Sequence, residues 1–134
     1  MERQKKVIDA SIIVKWFSEE ENTKEALKIR NAHVDGEIVI IIPDLAFLEV
    51  LNALKYKKKN ALQLKESIKY LSKLDLHVEN IGSFLLEKAI EISLEYDFSM
   101  YDSLYAALAQ LHGCELITAD KKLAKLPNAV LLSN

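Results

Sequence analysis

Four acids in this 134-residue chain resist an ordinary surface reading: Asp9, Glu49, Asp102 and Asp120. Asp9 stands in "KKVIDASIIVKWF" (5–17), with Val7 and Ile8 before it and Ile12, Ile13, Val14, Trp16 and Phe17 after it. A carboxylate there must be solvated, paired or cation-bound, because burying it alone costs roughly several kcal/mol or more. Only Lys5, Lys6 and Lys15 lie near it in sequence. Glu49, in "PDLAFLEVLNAL" (43–54), has Leu45, Ala46, Asn52 and Ala53 at i±3 and i±4, which puts it on or beside the inner stripe of a helix. Asp102, in "FSMYDSLYAALAQ" (98–110), has a competing role as the N3 acid of a capping box with Ser99. Asp120, in "LITADKKLAKL" (116–126), has one as a helix N-cap. The other acids read as structural: Glu19, Glu20 and Glu21 precede a helix and suit its positive end, Glu87, Glu91 and Glu95 form a solvated row, and Asp35 and Asp75 sit in connections.

Taken together, the four point to metal chemistry. Carboxylates drawn into one cleft of low dielectric repel one another strongly unless hard divalent cations share it. All-oxygen ligation selects Mg²⁺ or Mn²⁺. His33, His77, His112 and Cys114 show no zinc-ligand spacing and read as surface or helix-end residues. Neither a Gly-rich phosphate loop nor a Gly-x-Ser-x-Gly elbow is present.

The elements that must position these acids follow from periodicity. Strands are expected at 6–9, 37–42 (stopped by Pro43), 76–81, 114–118 and 129–133. Helices are expected from Ser11 to Phe17, over 22–32, over 44–59 with Asp44 as cap, and over 61–74, 83–96 and 99–112, with a helical turn or two at 120–125. Gly113 takes the C′ position after the sixth of these. Short apolar strands interleaved with helices indicate a mostly parallel sheet covered on both faces. Ligands in such sheets bind beyond the strand carboxyl ends, where strand order reverses. Asp9 ends the first strand and Asp120 lies just past the fourth.

Bulk properties set the bounds. The length fits a single domain, 1–134, with a sound core. Half the residues are hydrophobic and 28% are charged, which argues against disorder. A net charge of −2 makes no case for indiscriminate nucleic-acid binding, although a local basic face could still do that work. One cysteine, Cys114, rules out an internal disulfide. The longest aliphatic run, "IVIIIP" (38–43), is far short of the about 20 residues of a bilayer span, and "MERQKKVIDAS" lacks the apolar region of a signal peptide. These features lead to the expectation of a soluble, cytoplasmic protein.

The motifs "VIDASIIVKWF", "PDLAFLEVLNAL", "MYDSLYAALA" and "LITADKKL", in this order across nearly the whole chain, resemble the PIN-domain nucleases, most closely the VapC-type ribonucleases of toxin–antitoxin pairs. The resemblance implies a three-layer α/β/α sandwich with strand order 3-2-1-4-5. It also implies an acidic site of Asp9, Glu49, Asp102 and Asp120, with Ser11 and Thr118 as supporting hydroxyls. Asp9, Asp102 and Asp120 would be the principal metal ligands, and Glu49 would act through water or orient the nucleophile. The expected activity is Mg²⁺- or Mn²⁺-dependent hydrolysis of RNA phosphodiesters, leaving 5′-phosphate and 3′-hydroxyl ends. A small antitoxin is the expected partner, inhibiting by placing an arginine among the carboxylates. Two departures stand out. Ser103 replaces the usual alanine after Asp102, and Lys122 occupies a position where some relatives carry a fifth acid.

For contact with RNA, the sequence offers Lys55, Lys57, Lys58 and Lys59, together with the row Lys65, Lys69 and Lys73; helix-end and solvated-face roles compete for both. Trp16, Phe17, Tyr101 and Tyr105 read as core or subunit interface. "SLYAALAQL" (103–111) is apolar round much of its circumference, which motivates a homodimer. Two alternatives share the fold: a processing nuclease with a housekeeping RNA, and a non-catalytic interaction module. A phosphoacceptor receiver domain is set aside, because the third strand ends in "VENI" and Asp9 has no acidic neighbour.

Overall fold

The computed structural model describes residues 3–133; Met1, Glu2 and Asn134, which belong to the span expected as one domain, lie outside the described residues. In chain order the elements are β1 (Gln4–Ile8), α1 (Ala10–Val14), α2 (Thr23–Val34), β2 (Ile38–Pro43), α3 (Leu45–Tyr56), α4 (Ala61–Lys73), β3 (His77–Glu79), α5 (Ser83–Tyr96), α6 (Met100–His112), β4 (Glu115–Thr118) and β5 (Ala129–Leu131). A single 3-10 turn, Leu123–Lys125, precedes β5. The five strands form one parallel sheet in the order β3-β2-β1-β4-β5, flanked by helices.

Strand order explains where a site can form. The chain steps from β1 to β2 to β3 in one direction, then crosses back to place β4 on the far side of β1. Right-handed crossovers put the helices of these two halves on opposite faces, leaving a crevice at the ends of β1 and β4. Val7 is level with Ile41 of β2, and Ile8 with Ile117 of β4. Asp9, the next residue, therefore emerges at that crevice. Beneath it lie Val7, Ile8, Ile40, Ile41, Ile42 and Leu116, all essentially without solvent contact.

Several local expectations need correction. Pro43 is the last residue of β2 rather than its stop. Proline lacks the N–H, but the strand end does not need it there. Asp44 does not cap α3 with its side chain; its backbone N–H instead donates to the Glu79 carbonyl at 3.0 Å. The helix expected to open at Ser11 opens at Asp9, whose extended backbone makes it the N-cap of α1, and Ser11 lies inside the first turn. The apolar breadth of α6 has an internal cause. Residues from Ser103 to Ala109 are all buried within this one chain, where α6 packs against α5 and the sheet. Its periodicity therefore carries no argument for a dimer. The exposed apolar row lies on α5, at Leu86, Ile90 and Leu94.

Candidate active site

Asp9 is the most tightly held of the four acids. It is 6% exposed, and its two carboxylate oxygens each accept a hydroxyl: Ser11 Oγ donates to Oδ1 and Thr118 Oγ1 to Oδ2, both at 2.5 Å. The same hydroxyls accept from the chain beyond β4, Ser11 Oγ from the Ala119 N–H and Thr118 Oγ1 from the Asp120 N–H, each at 3.0 Å. Ser11 and Thr118 thus tie the loop after β4 to the end of β1. Burial pushes the Asp9 carboxyl up to about 6, against the pull of the two hydroxyl donors, and the charge of Asp102 adds to the rise.

Asp102 joins the group from the first turn of α6. Its backbone N–H donates to Ser99 Oγ at 3.1 Å, so Ser99 caps the helix as expected, and the Ser99 side chain also interacts with the carboxylate and pulls its pKa down. Partial burial raises its pKa, and the negative charge of Asp120 raises it further, while Lys122 opposes. Lys122, at the position where a fifth acid could stand, lies with its ammonium 5.3 Å from the centre of the Phe98 ring. Asp120 is exposed, and its Oδ1 accepts from the N–H groups of Lys122 (2.8 Å) and Leu123 (3.4 Å). The N-cap of the 3-10 turn is Lys122 rather than the expected Asp120; Asp120 instead braces the chain that leads into the turn, and its charge acts on Asp102.

Glu49 reaches the site from α3. It is half-buried, and its Oε1 accepts a 2.5 Å hydrogen bond from Tyr105 Oη. Burial raises its pKa, Tyr105 opposes, and the charge of Asp102 adds to the rise. Tyr105 is a site residue that sequence reasoning assigned to the core or an interface. It is indeed buried, at 2% exposure, but its hydroxyl is spent on Glu49 and is held far above the usual tyrosine range by burial and by the Glu49 and Asp9 charges. One signal was present: Tyr105 follows Asp102 by three residues, hence shares its helix face.

Asp102 is thus the hub, sensed electrostatically by Asp9 and Glu49 and itself raised by Asp120. The four acids share one rim. Among the described residues, however, no three of their carboxylates approach within 4.8 Å of one another. The donor set remains all-oxygen, and a hard cation that keeps part of its water shell suits carboxylates held apart.

The lysines behave differently from one another. Lys57 forms an ion pair with Glu20, whose other carboxylate oxygen lies 3.4 Å from Lys15 Nζ. Buried Lys15 also donates to the Glu21 carbonyl at 2.7 Å. Glu20 therefore serves an ion-pair network rather than the helix end. Lys55 lines a groove between α3 and α4, while Lys59 lines another beside Phe17 and Tyr70. The histidines also depart from expectation. His33 is a buried structural residue, accepting from the Ile40 N–H at Nδ1 and bonded to the Leu74 carbonyl through Nε2. His77 and His112 meet at Glu79, a grouping with no counterpart in their sequence spacing.

Comparison with known proteins agrees with this architecture. The PIN domain family model matches residues 6–129. Ribonuclease VapC3 of Pyrobaculum aerophilum is 30% identical over 127 residues, covering 90% of this chain and 93% of that protein. A toxin–antitoxin complex from Klebsiella pneumoniae contains a chain that superposes with a TM-score of 0.72 at 25% identity, over 96% of this chain and 98% of that one. The sarcin–ricin loop cleaving toxin VapC20 of Mycobacterium tuberculosis shares the fold, with a TM-score of 0.70 at 16% identity over 88% and 92% of the two chains. Together with the 3-2-1-4-5 sheet, these matches establish that the chain belongs to the PIN domain family, among the VapC-type ribonucleases.

Proposed function

We propose that this chain is a divalent-metal-dependent endoribonuclease and the toxin of a toxin–antitoxin pair. The observation that carries the reading is the electrostatic coupling of Asp9, Glu49 and Asp120 through Asp102 at the switch point of the sheet. Asp9, Glu49 and Asp102, whose pKa values are raised by burial and by a neighbouring carboxylate, are poised to gain from a cation. Mg²⁺ or Mn²⁺ fits the donors, with Asp9, Asp102 and Asp120 as ligands and Glu49 acting through water. The chemistry such an ion supplies is Lewis acidity, which lowers the pKa of water and polarises phosphoryl oxygens.

The chain's own residues have distinct roles in this proposal. Ser11 and Thr118 fix both oxygens of Asp9, so that ligand arrives already oriented. Tyr105 fixes Glu49, whose free oxygen orients water beside the scissile phosphate. Lys55, Lys58 and Lys59 are proposed as phosphate contacts, and Lys57 contributes less because Glu20 already engages it.

An antitoxin partner is supported by the groove between α3 and α4, a cavity of about 540 Å³ lined by Leu48, Leu51, Leu64 and Ile68 with Lys55, Lys65 and Lys69 among them. Leu48 and Asn52 also line an adjoining cavity that contains Glu49, so one apolar segment lying in the groove reaches the acids. A basic residue at its end would compete there with metal. Homodimer formation is proposed through Leu86, Ile90 and Leu94 of α5, and light scattering tests it.

Purified protein incubated with RNA in Mg²⁺ or Mn²⁺ tests the activity. Cleavage that EDTA abolishes, and that Asp102→Asn lowers by at least about a hundredfold, is expected, since such a ligand acts on transition-state charge. Absence of any cleavage, or an Asp102→Asn variant as active as the parent, overturns the proposal. Growth arrest on expression, relieved by a neighbouring small gene product, tests the toxin assignment.

A further inference from the structure

We propose that His77, Glu79 and His112 form a second metal site, selective for a borderline divalent cation of the zinc class and separate from the four-acid rim. Among the described residues, they are the one group of three or more potential ligands whose atoms all lie within 4.8 Å of one another. His77 and Glu79 sit two residues apart on β3 and so share one face of the strand. His112 is the last residue of α6, brought across from 33 residues further along the chain.

The spacing matches coordination. Zinc–nitrogen and zinc–oxygen bonds of about 2.0–2.2 Å in a tetrahedral arrangement place neighbouring ligand atoms about 3.3 Å apart. Glu79 Oε1 lies 3.3 Å from His77 Nε2 and 3.0 Å from His112 Nε2. The rings meet nearly edge to face, with centres 5.8 Å apart, and both Nε2 atoms face the same Glu79 oxygen. Among the described residues, the Glu79 carboxylate is also the only hydrogen-bonding partner of either ring. Structural His33 differs, because both of its nitrogens are committed to backbone groups.

The chemistry selects the ion. Two imidazoles and one carboxylate suit Zn²⁺, Co²⁺ or Ni²⁺, whereas the oxygen-only rim suits Mg²⁺ or Mn²⁺. Binding replaces the two ring contacts to Glu79 with three coordinate bonds and requires each ring to keep its remaining proton on Nδ1. The His77 side chain is 52% exposed, so the ring has room to turn inward, and a water completes the fourth position on the solvent side. The result is a clamp between the edge strand β3 and the end of the helix that carries Asp102 and Tyr105.

The test is a Co²⁺ titration of the full chain, stripped with chelator and held in excess Mg²⁺ to occupy the acidic rim. The parent and Asp102→Asn should both show the visible bands of four-coordinate Co²⁺ at one equivalent, bleached by Zn²⁺. His77→Ala and His112→Ala should weaken binding by at least about tenfold, the low end of what losing even a supporting hydrogen bond costs a metal site. Zn²⁺ should raise the Tm of the parent but not of His77→Ala, whose exposed position leaves folding intact. Four-coordinate bands absent from the parent, or abolished by Asp102→Asn and unaffected by the histidine variants, would overturn the proposal.

Discussion

Replacing Asp9 by asparagine removes a buried charge while keeping the side chain's size and one of its acceptors. Burial moves the Asp9 carboxyl from its ordinary 3.8 up to about 6. At about 1.4 kcal/mol for each tenfold change in proton affinity, that difference amounts to about 3 kcal/mol. Between those two values the folded chain holds more protons than the unfolded one, so stability falls as pH rises through the window and levels off above about pH 7. The Asp9→Asn variant escapes that loss. Its amide has one acceptor oxygen where the carboxylate had two, so either Ser11 or Thr118 must turn its hydroxyl elsewhere, at about 1 kcal/mol. Asp9→Asn should therefore be about 2 kcal/mol more stable than the parent at pH 7.5 in EDTA. Near pH 4 the parent carboxyl is largely protonated when folded, and the advantage should disappear. Urea unfolding of both proteins at the two pH values measures this directly. Saturating Mg²⁺ should stabilise the parent alone, by about 2.7 kcal/mol at a hundredfold excess over Kd. An Asp9→Asn protein no more stable than the parent at pH 7.5, or equally favoured at pH 4, would refute the claim that a buried, unneutralised carboxylate sits there.

Three other perturbations follow from named contacts. Tyr105→Phe removes the donor to Glu49 at almost no change in volume; it should cost about 1.5 kcal/mol by urea unfolding and lower RNA cleavage, because Glu49 is no longer held. Ser103→Ala should raise stability by about 1 kcal/mol, since the Ser103 hydroxyl is fully buried and has no hydrogen-bond partner among the described residues; a loss of stability on thermal unfolding would mean that it has one. His33→Ala should be among the most damaging changes, at roughly 3 kcal/mol, because it strands the Ile40 N–H and the Leu74 carbonyl and opens a cavity.

Much of the candidate site is legible in the sequence. Asp9 stands out because the apolar residues on either side of it leave a carboxylate no ordinary surface role, and the sheet explains why: Val7 and Ile8, the last two residues of β1, are fully buried, and Asp9 follows them directly. Glu49 was legible from its helical neighbours, and Ser99 and Asp102 from their cap spacing. Those signals are local, arising from the period of a strand or a helix. What a local reading misses has non-local causes. The apolar girth of α6 suggested a second subunit, but α5 and the sheet bury it from both sides. Lys57 looked free for a phosphate and is engaged by Glu20, which looked like a helix-end charge.

What the amino-acid order determined alone is the succession of elements and the four acids that stand out as candidates, because hydrophobic period and capping act over a few residues. Tertiary structure alone decided which side chains meet. Thr118 reaches Asp9 across 109 residues, Tyr105 reaches Glu49 across 56, and His112 reaches Glu79 across 33. Such pairs depend on strand order, register and the packing of α3 and α6 against the sheet, which the whole core sets at once. No spacing in the chain encodes them, and they decide how firmly each acid is held.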